Sequence, residues 1–213
     1  MRTCDATTGS LITARCTVKG HKIGIIEFAS FTPGSAAEVH EAIEKVHREG
    51  AEGIVLDLRS NGGGLVEESV QIASYFIPHG LIVTMRGRAV GEDRQYATGA
   101  ITNAHQPMVV LVDENTASAA EILTAALQDH HRAVVVGTHT FGKGVFQEEQ
   151  QLSNGGALDI TVGEYFTPNG RNLGGGGVKQ GAGVIPEVKV DANKVDGNAG
   201  LQTALEHVAA RLG

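Results

Sequence analysis

The stretch "PMVVLVDENTASAAEILTAALQDHHRAVVVG", residues Pro107–Gly137, decides the fold. Its first seven residues form a nearly continuous apolar run, the pattern of a strand buried on both faces. From about Ser118 to His130 the apolar residues recur at helical spacing, and Ala133–Gly137 returns to a short valine-rich strand. A strand, a helix and a second strand on short connections form a crossover unit, which places the two strands parallel in one sheet.

The same alternation extends towards the N-terminus. "KIGIIEFASF" (Lys22–Phe31) reads as a strand, followed by a helix from Ser35 to about Arg48 with Val39, Ala42, Ile43 and Val46 on one face. "GIVLDL" (Gly53–Leu58) is another doubly buried strand, followed by the loop "RSNGGGL" and a helix from about Val66 to Phe76 that Pro78 ends. "LIVTM" (Leu81–Met85) adds a strand, and the polar segment Arg86–Gln106 separates it from Pro107. Past Gly144 the pattern loosens. "VFQEEQQL", "LDITVGEYFT" and "GVIPEVKV" alternate around "NGG" and "PNG" turns, which predicts β-hairpins attached to the core. "NLGGGGVKQGAG" reads as a flexible loop, and "LQTALEHVAARL" as a short amphipathic packing helix. The expected class is α/β, a mainly parallel sheet flanked by helices with C-terminal β-hairpins.

At 213 residues the chain is long enough to bury a substantial core. A net charge of −7 with no Lys/Arg cluster argues against a nucleic-acid partner. "MRTCDATTGS" has no apolar run, so it carries neither signal peptide nor membrane segment. Cys4 and Cys16 are the only cysteines, and the sequence leaves both a disulfide and two free thiols open.

Three loops follow buried strands, where open α/β sheets carry their sites. They are Arg59–Leu65, Glu114–Ser118 and Thr138–Gly144. Acyl transfer needs a nucleophile, a proton acceptor and donors for the oxyanion. Ser118 at a helix N-terminus supplies the first, and the Ala119 N–H one donor. Gly63 or Gly64 supplies the second donor. Lys143 is the natural base, provided that Phe141, Val145 and Phe146 shield its amine from water, and Gln147 is a neutral partner to orient it.

Simpler readings exist for each piece. The tetrapeptide SAAE occurs at Ser35 and again at Ser118, each time with the spacing of a helix capping box, so Ser118 also reads as a plain cap. Triple glycine makes tight turns, and a lysine between glycines is commonly solvated. The three together on neighbouring loops favour chemistry. A Ser–His–Asp triad fails on distance, because His130 and Asp129 close the helix that Ser118 opens, ~18 Å away at 1.5 Å per residue. His105 and His139 lack an obvious carboxylate partner in sequence. "GTHTFGKG" imitates a phosphate loop, but Gly144 stands where a hydroxyl should hold magnesium, and a strand pattern follows.

With these residues in place, the chain resembles the carboxyl-terminal processing peptidases, serine–lysine proteases that include the D1-processing protease of photosynthetic organisms. The resemblance rests on "GIVLDLRSNGGGL", "PMVVLVDENTASAAEILTAALQD", "VVVGTHTFGKGVFQ" and "GVIPEVKV". It implies a crotonase/ClpP-like core, Ser118 as nucleophile, Lys143 as base, Gln147 as its support, and oxyanion donors at Gly64 and Ala119. It implies no cofactor and no metal, a protein or peptide substrate bound in extended form, and an extracytoplasmic location for the full-length protein. Where family members often carry serine, Ala120 stands here, with all proposed roles still filled. The division expected is an N-terminal extension (1–21), a peptidase core (22–190) without the family's PDZ domain, and a C-terminal tail with a short helix (191–213). The competing reading is a peptide-binding or assembly module with an idle site. Acyl-CoA chemistry on the same fold would leave Ser118 and Lys143 without a joint role.

Overall fold

Valine, isoleucine and leucine dominate the strands at the centre of the molecule, and every residue of two of them is buried. A computed structural model of the chain describes residues 3–7, 11–89, 91–101, 105–191 and 198–213. Residues 1–2 and 8–10 of the N-terminal extension and 192–197 of the C-terminal tail lie outside the described residues. In chain order the strands are β1 (Thr3–Thr7), β2 (Ile12–Val18), β3 (His21–Glu27), β4 (Gly53–Asp57), β5 (Leu81–Gly87), β6 (Gly91–Tyr96), β7 (Met108–Val112), β8 (Val134–Gly137), β9 (Val145–Gln151), β10 (Ala157–Phe166) and β11 (Val188–Lys189). The helices are α1 (Ser35–Arg48), α2 (Val66–Ser74), α3 (Ala119–Asp129) and α4 (Asn198–Ala210).

Seven strands form the main sheet in the order β1-β2-β3-β4-β7-β8-β11. From β3 to β11 all neighbours are parallel, as the crossover pattern predicts, while β1 and β2 add an antiparallel ribbon at the β3 edge. That ribbon sets Cys4 opposite Cys16, and Cys16 is disulfide-bonded. Side chains alternate across a strand, so each buried run serves two cores. Ile54, Leu56, Met108, Val110, Val112 and Val135 face the layer built by α1, α2 and α3. Val55, Val109, Leu111 and Val136 face the other way, onto Ala204, Leu205, Val208 and Ala209 of α4. The terminal packing helix is therefore the helical cover of a whole sheet face.

A second sheet, antiparallel throughout, has the order β6-β5-β10-β9. The structure differs from the sequence reading in three places. "GVIPEVKV" forms no hairpin: Val188 and Lys189 join the main sheet as a parallel edge strand beside β8. The polar segment after β5 contains strand β6, whose residues are nearly all exposed and so lack an apolar alternation to betray them. The first SAAE makes no capping box. Gly34, at φ 90°, is the N-cap of α1, Glu38 is exposed, and Glu68 of α2 accepts the Gly34 and Ala36 N–H groups at 2.8 and 2.6 Å.

Because β4, β7 and β8 are parallel, the loops leaving them emerge on one edge of the sheet, and those are the three loops singled out by sequence. Leu205 is fully buried on the α4 side, away from that edge. Leu205→Ala is expected to cost about 3 kcal/mol of stability, the usual range for a leucine removed from a packed core. Equilibrium urea unfolding checks it, and a midpoint unchanged from wild type would refute α4's role as a core element.

Candidate active site

Ser118 is the last residue before α3 and has φ 56° and ψ −119°, a backbone conformation that non-glycine residues adopt only when their surroundings enforce it. The enforcement is visible. Asp113, fully buried at the end of β7, accepts the Ser60 and Asn115 N–H groups at 2.9 and 3.0 Å. The Thr116 hydroxyl lies 3.1 Å from the same carboxylate and 2.9 Å from the Leu58 carbonyl. Asn61, also fully buried, accepts the Ala117 N–H on its carbonyl at 2.9 Å and donates its amide to the Phe28 carbonyl at 2.7 Å. The glycine loop and the Ser118 loop are thus sewn to each other and to the strands beneath.

The glycines are required where they stand. A Cβ on Gly63, whose φ is 97°, would lie 2.7 Å from the Ala117 carbonyl and 2.8 Å from the Ser118 Cβ. One on Gly64, φ 140°, would run into the Phe31 carbonyl. The Gly63 N–H donates to Asn61 Oδ1 at 2.9 Å, which leaves Gly64 as the member of the pair whose N–H suits an oxyanion. Ala119 opens α3, and an N–H in the first turn has no acceptor within its own helix.

The third loop is joined to the other two through one side chain. Glu121, in the first turn of α3, is fully buried. Its Oε2 accepts the Ser118 N–H and the Lys143 N–H, each at 2.9 Å. Its Oε1 accepts the Gly142 N–H at 2.7 Å and the Thr140 hydroxyl at 2.5 Å. Burial pushes this carboxyl above the ordinary glutamate range, and the four hydrogen bonds pull the other way without cancelling it. A further bond, Phe141 N–H to the Thr116 carbonyl at 2.9 Å, holds the lysine loop against the Ser118 loop.

Gly64, Ser118, Lys143 and Gln147 line one cleft of about 520 Å³. Leu65, Val66, Met85, Val145, Phe146 and Tyr165 give it apolar walls, and Glu67, Asp93 and Glu148 border it. Burial, followed by the nearby Glu67 charge, pushes the Tyr165 phenol up to about 12, so it is a neutral wall at any working pH. Of the three residues expected to shield the lysine, Val145 and Phe146 share its cleft and Phe141 does not. Gln147 is exposed, and no histidine lines the cleft. His105 and His139 are exposed elsewhere, and His139 borders a separate cavity of about 350 Å³. At the far end of α3 the His130 ring meets the Leu81 carbonyl at 2.7 Å, and Asp129 accepts the Asn169 N–H at 2.9 Å. β9 follows Gly144 where a phosphate loop would open a helix. Among the described residues no cluster of His, Cys, Asp and Glu has the form of a metal site.

Sequence reasoning missed Asn61, Asp113 and Thr140, which only long-range contacts reveal. The signal for Glu121 was there, in the capping-box spacing, but it announced a bond to Ser118 and not the three others.

Residues 22–190 match peptidase family S41. The carboxyl-terminal-processing protease of Synechocystis is 38% identical over 154 residues, covering 72% of this chain and 36% of the relative. A carboxy-terminal-processing protease of Bartonella bacilliformis is 35% identical over 175 residues, covering 79% of this chain and 39% of the relative. The solved photosystem II D1 C-terminal processing protease superposes with a TM-score of 0.72 at 32% identity, covering 90% of this chain and 48% of that one. The chain therefore spans between about a third and a half of the length of these relatives. Its α/β core, with a mostly parallel sheet flanked by helices, is the crotonase/ClpP-like architecture expected from the resemblance.

The raised pKa of Glu121 has a defined sign for stability. The folded chain holds this proton more tightly than the unfolded one, so the group's contribution is complete below the ordinary value of 4.5 and is lost as pH rises through the raised folded value. The melting temperature of wild type relative to Glu121→Gln is expected to fall across that window. Thermal unfolding of both proteins at a series of pH values measures it, and a difference that grows with pH would contradict the assignment.

Proposed function

The chain belongs to peptidase family S41, and from that premise we propose that it is a serine endopeptidase with Ser118 as nucleophile and Lys143 as general base. The observation that carries this reading is the strained backbone of Ser118 at the mouth of a cleft shared with Gly64, Lys143 and Gln147. Strain of this kind persists where the surrounding structure holds a reactive group in place. The Ser118 hydroxyl attacks the scissile carbonyl carbon, and its proton passes to the Lys143 amine acting as base. The carbonyl oxygen, now negative, takes hydrogen bonds from the Gly64 and Ala119 N–H groups, with the positive end of α3 behind them. The lysine ammonium returns the proton to the departing amine. Water then releases the acyl group, with Lys143 taking its proton in turn. Gln147 orients the lysine without restoring a positive charge. No step calls for a metal or an organic cofactor.

The substrate is a polypeptide bound in extended form and cut near its C-terminus; carboxyl-terminal processing is the activity for which the relatives are named. Main-chain pairing along a strand edge tolerates varied sequences and suits such a substrate. The apolar walls of the cleft favour an apolar side chain beside the scissile bond. In the full-length protein we place this core outside the cytoplasm. Among the described residues no helix is long and apolar enough to cross a membrane.

A fluorophosphonate probe, whose phosphorus bonds to the serine oxygen as fluoride departs into solvent, is expected to label wild type and not Ser118→Ala. Lys143→Arg should lower kcat nearly as far as Lys143→Ala, since guanidinium keeps its proton and cannot act as base. Measurements of kcat on an unstructured polypeptide decide the second point. A wild type inert to both probe and polypeptide would favour a peptide-binding module with an idle site, and an active arginine variant would limit Lys143 to an electrostatic role.

A further inference from the structure

We propose that Glu121 is a positioning residue that fixes the distance between nucleophile and base, and that its helix-capping role is secondary. The proposal rests on the Ser118–Lys143 reading of the cleft and assigns a part of that machinery which touches no substrate.

The two catalytic candidates come from different loops, separated by α3, β8 and the turn that follows it. Nothing in the covalent chain sets their separation. Besides the Phe141–Thr116 bond between the two loops, one oxygen ties the two residues themselves: Glu121 Oε2 accepts the backbone N–H of both Ser118 and Lys143 at the same 2.9 Å. A cap of α3 would need only the first of these bonds. The other oxygen binds two residues of the turn that leads to Lys143, Thr140 through its hydroxyl, which in turn accepts the Val184 N–H at 2.7 Å, and Gly142 through its N–H. Among the described residues no cation pairs with this carboxylate, so its partners are four directional donors converging from two loops. Direction is what a positioning group supplies and a bare charge does not.

The backbone opposite agrees. A Cβ on Gly183 would collide with Glu121 Oε1 and with the Thr140 hydroxyl. Gly183 has no left-handed conformation to explain its identity, so the missing side chain makes room for the carboxylate. First-copy SAAE provides the internal contrast: Glu38, at the equivalent place in the tetrapeptide but one residue further into its helix, is exposed and caps nothing.

An amide in place of the carboxylate keeps the shape but turns one acceptor into a donor that faces other donors, which loosens one catalytic loop from the other. Misplacing reacting groups by about 1 Å typically costs 10²-fold in rate. Glu121→Gln is therefore expected to lower kcat about 100-fold with KM within about threefold of wild type. The rate of fluorophosphonate labelling of Ser118 should fall in parallel. Gly183→Ala, which changes no hydrogen-bonding group and presses on the same carboxylate, should reproduce the kcat defect. Circular dichroism and melting curves on each variant establish that the fold is kept, and peptide affinity measured in a Ser118→Ala background should not change with Glu121→Gln. Wild-type kcat in a folded Glu121→Gln protein, or a defect confined to KM, would overturn the proposal. If wild type itself is neither labelled nor active, the Ser–Lys reading fails instead, and the two failures are told apart.

Discussion

Parallel strands that end on a common edge leave their last peptide groups without ladder partners, and a buried peptide group without a partner is costly. The structure of this protein's reactive edge follows from how that demand is met. Asp113, Asn61 and Glu121 are polar, buried and surrounded by apolar layers, and each accepts hydrogen bonds from main-chain N–H groups of loops at this edge. The backbone of the loops is satisfied by these side chains together with bonds between the loops themselves, such as Ala117 N–H to the Asn61 carbonyl and Phe141 N–H to the Thr116 carbonyl. The cleft then inherits its geometry: a serine held in a conformation it would not choose, glycines admitted where a Cβ has no room, and a lysine delivered from the loop that follows the neighbouring strand β8.

Much of this was legible in the sequence, and the reason is local. β4 and β7 are short runs of branched apolar residues with no polar alternation, and only a doubly covered parallel strand has that look. α1 presents Val39, Ala42, Ile43 and Val46 at helical spacing and buries those residues. Ser118, Lys143 and Gly64 were nominated from loops that follow buried strands and Gln147 as a neutral partner for the lysine, and the fold brings all four to one cleft. What stayed hidden was set by partners far along the chain. Glu68 lies 34 residues from the helix end it caps, and Asp113 lies 53 residues from Ser60. β6 is a strand because β5 pairs with it, and its own residues do not alternate.

The two SAAE segments are the sharpest instance of this division. Identical tetrapeptides carry identical local propensity, yet one glutamate lies in solvent while the other is fully buried and bonded to two loops. At α1 the left-handed Gly34 takes the cap position and a carboxylate from a neighbouring helix does the capping, which leaves Glu38 without a task. At α3 the tertiary surroundings supply three donors besides Ser118. Short motifs state what a residue can bond to locally, and the fold decides how many bonds it makes.

One feature of the core bears on how the molecule is made. The sheet face opposite α1, α2 and α3 is covered by α4, which touches β2, β3, β4, β7 and β8 and follows every one of them in the chain. During vectorial synthesis each of those strands leaves the ribosome before the helix that shields it. Val55, Val109, Leu111 and Val136 therefore remain an open apolar surface until the final helix arrives. Chaperones that recognise exposed branched side chains have their window there, and it closes when α4 docks.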